Sequence, residues 1–175
     1  MAQAKEVYKN PQPGQPLITT ITSDCQTPIL EIKFSNLIKP FYYTNSPTIP
    51  RYSITCIVDP EIHREFLRII QTIEKNESVE TIIKNEMQKE NGEQKTTGKV
   101  LIKFQTKDKV PVYLKRSEKS EPELMELEDE LARGEKVVVK YDILRYTKKN
   151  TMKSEHGISF KLISVFYYPN EKKAI

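Results

Sequence analysis

The chain has 175 residues, 37% of them apolar, enough for one domain with appendages and a modest core. Its 28 basic and 24 acidic residues leave a net charge of +4, laid out in blocks: 99–119 is basic, 121–135 acidic and 136–153 basic again, a field that bears on partners more than on fold. Composition excludes a membrane span, a secretory leader after Met1 and a zinc site at Cys25 or Cys56, which lie in no Cys/His cluster, so a soluble cytoplasmic protein with reduced thiols is expected.

Residues 1–28 are rich in Gln, Pro and Thr and read as a flexible arm, with Leu17–Thr22 as an irregular edge strand. In Ile29–Ile38, Leu30, Ile32, Phe34 and Ile38 alternate with Glu31, Lys33 and Ser35, the period of a strand with one buried face. Lys39–Pro50 is an aromatic, proline-punctuated loop. Arg51–Val58 is a second strand, with Tyr52, Ile54, Cys56 and Val58 on one face.

Asp59 suits a helix N-cap, and Pro60 suits the first turn, where its missing N–H costs nothing. Two helical stripes follow: Ile62, Phe66, Ile69, Ile70 and Ile73, then Val79, Ile82, Ile83 and Met87. Helices are therefore expected over 60–90. Asn91-Gly92 and Gly98 bound a polar loop.

Lys99–Thr106 is a third strand. Val110–Leu114 is a short edge strand, because Pro111 cannot donate to a ladder. Ser120–Glu123 has the pattern of a capping box, and Leu124, Leu127 and Leu131 would line a helix over 121–133 that Gly134 stops. Glu135–Thr147 and Gly157–Tyr168 alternate again and form a closing hairpin around a lysine-rich loop. Strands and helices do not alternate strictly, so a doubly wound sheet is disfavoured. A mainly β fold, a small antiparallel barrel with inserted helices, fits the order.

No catalytic motif is present: there is no glycine-rich phosphate loop, no G-x-S-x-G and no H-E-x-x-H. His63 and His156 are far apart and read as surface or loop side chains. Glu121, Glu123, Glu126, Glu128, Asp129 and Glu130 fall on the outer side of the expected helix, without the convergence a metal site needs. No enzyme activity, metal or other cofactor is expected.

Aromatic and basic residues instead alternate along the strands. Rings stack on unpaired bases and cations replace phosphate counterions, which suits single-stranded nucleic acid. Alternation assigns Phe34, Phe104, Phe160 and Phe166 to the core, and Val137, Val139, Tyr141 and Ile143 to a barrel lining. It leaves Lys33, Lys103, Lys107, Lys140, Tyr146, Lys161 and Tyr167 outside. Tyr42 and Tyr43, in a loop beside Lys39 and Phe41, are candidate stacking rings.

Three blocks carry a family resemblance: ILEIKFSNLIKP with PRYSITCIVDP, KVLIKFQTKDKVPVYL, and ELARGEKVVVKYDILRYTKKN with HGISFKLISVFYY. Over Ile29–Tyr168 the chain resembles the single-stranded-DNA-binding proteins of phage replication, of the T-seven-like type. The resemblance implies an OB-fold, a five-stranded antiparallel barrel with added helices, as one domain over 29–168 followed by a short tail over 169–175. It implies sequence-tolerant binding of single-stranded DNA in replication and recombination, in a host-cell or viral replication compartment. Replication proteins such as a polymerase or helicase are implied partners, and a homodimer fits the same picture. Carried over by position, the candidate contacts are Lys33, Lys39, Tyr42, Tyr43, Arg51, Lys103, Lys107, Lys109, Lys140, Arg145, Tyr146, Lys148, Lys149 and Lys153. The family's acidic tail has no counterpart in the closing NEKKAI. The alternatives are a structural or adaptor protein using the barrel as scaffold, and an RNA-binding OB module; the RNP aromatic pattern is absent.

Overall fold

The computed structural model describes residues 5–6, 17–44, 46–149 and 154–169. In chain order the elements are β1 (Lys5–Glu6), β2 (Leu17–Gln26), β3 (Leu30–Tyr43), β4 (Ser46–Val58), α1 (Arg64–Asn76), β5 (Lys84–Glu90), β6 (Glu93–Thr106), β7 (Val112–Leu114), β8 (Glu123–Met125), β9 (Lys136–Lys149) and β10 (Ser154–Tyr168).

Five strands close on themselves in the order β3–β4–β6–β10–β9 and back to β3. This is the expected OB-fold-like barrel. Its pairings are antiparallel except at β6 and β10, which run parallel with Lys161 beside Gln105. An odd ring cannot alternate direction all the way round, so one parallel seam is unavoidable. The other strands extend the sheet: β2 lies along β9, β1 along β2, β7 along β10 and β8 along β7, while β5 pairs with β6.

Inside, Ile32, Ile54, Ile102, Phe104, Tyr141, Phe160 and Leu162 fill the barrel, as alternation requires of strands with one buried face. The rings of Phe104, Tyr141 and Phe160 lie 4.9 to 5.6 Å apart, centroid to centroid. Burial pushes the Cys56 thiol far above its ordinary value, so it packs as an apolar group. The α1 helix adds Phe66, Leu67 and Ile70 to this core. Ile62 and Ile69, expected on the same stripe, are exposed.

The first helix starts a turn later than its capping signal. Asp59 spends its carboxylate on the Glu61 N–H (3.0 Å), and its carbonyl accepts from His63 at 2.8 Å, making a turn before Arg64. Where a second helix was expected after residue 79, Lys84–Glu90 is a strand. Ser78 breaks the helix with φ 54°, and β5 pairs with β6 through Asn91-Gly92, both at positive φ. That dipeptide is a two-residue hairpin turn, not the edge of a loop.

The helix expected over 121–133 is also absent. Ser120 Oγ bonds back to Ser117 rather than capping forward. Residues 123–125 pair with β7 instead, and Leu124 of the expected apolar stripe is 71% exposed. Tertiary strand pairing has overridden a local helical pattern. Residues 39–50, expected as a loop, continue β3 and β4 into a long hairpin arm. The edge strand expected over Leu17–Thr22 is present and runs on to Gln26, with register shifts along its pairing with β9.

Two single-residue bulges reset which side chains face out. In β3, Ile32 opposes Cys56 but Phe34 opposes Thr55, so Lys33 is the extra residue. Phe34 then points outward at 55% exposure, not into the core. In β10 the register shifts between Leu162 and Ser164, which buries Val165, turns Phe166 outward against its expected core placement, and packs Tyr167, expected outside, against the core.

Candidate nucleic-acid interface

The pairings place one wall of side chains on the outside of β4, β6 and β10. Phe34, Thr55 and Lys103 form one cross-strand row, and Asn36, Ser53, Gln105 and Lys161 form the next. In OB barrels, the face of the second and third strands, with the loops of the first and last hairpins, is the oligonucleotide face. Those strands are β4 and β6 here.

The hairpin arm bends over this wall. Tyr43 donates its hydroxyl to Gln105 Oε1 at 3.0 Å. Phe41 meets Tyr43 edge to face, centroids 5.2 Å apart. Lys103 Nζ sits 4.5 Å from the Phe41 centroid and 5.8 Å from that of Tyr43. The Arg51 guanidinium lies 5.8 Å from the same Tyr43 ring. Two cations thus hold two rings in place through cation–π contacts, each contributing about 0.5–1 kcal/mol at a surface. Arg51 Nε is the one buried side-chain polar atom without a hydrogen-bond partner among the described residues. An unpaired buried donor is unfavourable, so an acceptor arriving beside it is favoured.

The arm is set at its root by a carboxylate. Glu130 accepts from the backbone N–H groups of Leu37 (2.6 Å), Ile38 (2.9 and 3.1 Å) and Lys39 (3.0 Å). These amides have left the β3–β4 ladder, whose register breaks between Asn36 and Phe41. Glu130 was expected on a solvated helix face; it is the partner of a backbone nest.

Along β10 the wall continues through Lys161 and Ser159 to Gly157, which pairs with Tyr146 of β9. At 3.3 Å per residue the step from Lys161 to Gly157 is about 13 Å. Tyr146 lies over Gly157, so close that a Cβ there would stand 2.6 Å from the tyrosine Cζ. Gly157 is therefore glycine for space, and it leaves the Tyr146 ring 40% exposed.

The sequence candidates fall into four groups. Tyr43, Arg51, Lys103 and Tyr146 share this wall. Lys39 and Tyr42 are exposed on the arm, but Tyr42 alternates to the face away from Phe41 and Tyr43; Lys107 is exposed in the turn just past β6. Lys109 lines a groove at the arm's root with Leu37, Ile38 and Leu127. Three others are engaged elsewhere. Lys33 pairs with Glu86 at 3.0 Å, at 16% and 5% exposure. Arg145 reaches Glu77 at 3.7 Å. Lys140 stands 5.2 Å over the Phe166 ring. Of Lys148 and Lys149 only the backbone is described, and Lys153 lies outside the described residues.

Alternation missed Phe34 because its bulge has no signature in residue type. It also gave no reason to single out Gln105, whose role comes from the bend of the arm. Among the described residues no group of three His, Cys, Asp or Glu side chains could hold a metal ion, and no helix is long and apolar enough to cross a membrane.

No family model and no curated sequence matches the chain. Solved structures do. The single-stranded-DNA-binding protein of bacteriophage Enc34, in complex with ssDNA, superposes with a TM-score of 0.59 at 18% identity, covering 92% of this chain and 94% of that one. The C-terminally truncated form of the Enc34 protein gives 0.57 at 15% identity, with 97% and 98% covered. Gp2.5, a single-stranded-DNA-binding protein encoded by bacteriophage T7, gives 0.50 at 19%, with 86% and 96% covered. Over nearly its whole length, the chain has the fold of these phage single-stranded-DNA-binding proteins.

Proposed function

We propose that this protein binds single-stranded DNA in phage replication and recombination, by stacking and phosphate contacts and without catalysis. The observation that carries the reading is the wall itself. Phe34, Phe41, Tyr43 and Tyr146 supply ring faces, and Arg51, Lys103 and Lys161 supply cations, all on the OB face that the arm covers. The similarity to a phage protein solved with ssDNA supports the same ligand. Stacking on ring faces and pairing of cations with phosphates are contacts that every base and nucleotide can make, which supports binding that tolerates sequence. Contacts with a polymerase or helicase, and self-association, are part of the same reading. So is the division into an arm over 1–28, a domain over 29–168 and a tail over 169–175.

Fluorescence titration with oligothymidylate, duplex DNA and oligouridylate at two salt concentrations tests it. Tight, salt-sensitive binding of the single-stranded DNA with quenching of tyrosine is expected. Equal affinity for duplex, or none for oligothymidylate, overturns the reading; preference for oligouridylate reassigns the ligand to RNA.

A further inference from the structure

We propose that the outer face of the C-terminal half of β10 carries a second contact for the unpaired strand, a patch of rings and cations formed by Tyr113, Phe166, Tyr168, Lys115 and Lys140. It rests on the single-strand reading above and carries the path past Lys161.

The bulge in β10 creates the patch. Counting outward and inward from Lys161 without an extra residue would bury Phe166. With the extra residue, Val165 is fully buried and Phe166 faces out, in register with Val138 on one side and Tyr113 on the other. The rings of Phe166 and Tyr113 are 5.5 Å apart at an interplanar angle of 32°. Lys140 Nζ stands 5.2 Å from the Phe166 centroid, and Lys115 Nζ 5.9 Å from that of Tyr168.

All five side chains are half-buried, held in place yet reachable. Neither lysine has a carboxylate within ion-pair distance among the described residues. The patch therefore offers ring surface for bases and unneutralised charge for phosphates, the pairing that single strands require. It adjoins the first wall: Lys161 and Phe166 lie on one strand, about 16 Å apart. That distance fits within the roughly 4–16 nucleotides an OB barrel covers, so the patch lengthens one footprint instead of making a separate site.

The test compares oligothymidylates of about 8 and about 30 nucleotides, one short enough for the first wall alone and one beyond the whole footprint. The double variant Lys115→Glu with Lys140→Glu changes the charge of the patch, and Phe166→Leu removes its central ring while keeping an apolar side chain. Each variant should bind the short oligomer as the parent does, bind the long one about tenfold more weakly, and occlude fewer nucleotides per protein at saturation. Parental binding of the long oligomer, or equal weakening at both lengths, overturns the proposal. If the parent itself binds neither oligomer, the single-strand reading fails and this extension falls with it.

Discussion

Tyr146 occupies the space that a side chain on Gly157 would need, although the two residues lie on opposite strands of the closing hairpin. The glycine fixes where the ring rests. Gly157→Ala should push the tyrosine off its seat while leaving the barrel folded, since the clash is with the far end of a side chain. Tyr146→Ala should weaken oligothymidylate binding by about 1–3 kcal/mol, and Gly157→Ala by part of that amount. Combining both should cost no more than Tyr146→Ala alone, a non-additivity that a double-mutant cycle measures. Simple addition of the two effects would show that Gly157 acts independently of the ring.

Lys103 is the cation nearest the rings of the arm. Replacing it by Ala should reduce the slope of log K against log salt by about 0.7, the value for one phosphate contact on a single strand. Phe34→Ala should weaken binding without altering the denaturation midpoint, because the ring is mostly solvated already. A large loss of stability in Phe34→Ala would place that ring in the core after all.

Glu130 holds three consecutive amides at the root of the arm. Glu130→Ala should cost about 1 kcal/mol in urea unfolding, because only the Leu37 amide is part-buried and those of Ile38 and Lys39 can turn to water. Hydrogen exchange at Leu37, Ile38 and Lys39 should accelerate more than at barrel amides such as Phe104. Uniform acceleration across the chain would mean that Glu130 supports the whole fold, not the arm.

Glu86 gives the protein a pH dependence. Burial alone raises its pKa, but hydrogen bonds from Lys33 and Thr97 and the charges of Lys33 and Arg133 outweigh burial and hold it below the ordinary 4.5. A carboxylate with a depressed folded pKa contributes stability that is fully present above its unfolded pKa. That stability is lost as pH falls from about 4.5 through the folded value. The parent should therefore lose stability in that interval, and Glu86→Gln should lose less there while being weaker by about 2 kcal/mol at neutral pH. Denaturant midpoints measured against pH for both proteins decide it; parallel curves would remove Glu86 from the account.

The barrel strands were legible because period-two alternation is a direct image of a sheet with one buried face. Ile54, Phe104, Tyr141 and Phe160 sit where alternation puts them. What alternation cannot register is a single extra residue. Lys33 and the Leu162/Ser164 shift each reverse the parity after them, and so Phe34 and Phe166 turned up on the wrong side of the expectation. Helical stripes at Val79–Met87 and Leu124–Leu131 were honest local patterns that lost to strand pairing with β6 and β7. Asn91-Gly92 was the available warning for the first of these. Long-range choices, such as Glu130 reaching the amides of β3 or the arm bending onto Gln105, leave no mark in neighbouring residues.

The misaligned pair at Lys33 has an implication for how such a surface changes over time. Lys33 is the unpaired residue of that bulge, so deleting it would close the ladder and leave Phe34 opposite Thr55, still outside. The loss of one codon there can thus be absorbed locally, and β3 keeps its ligand-facing side while the chain shortens.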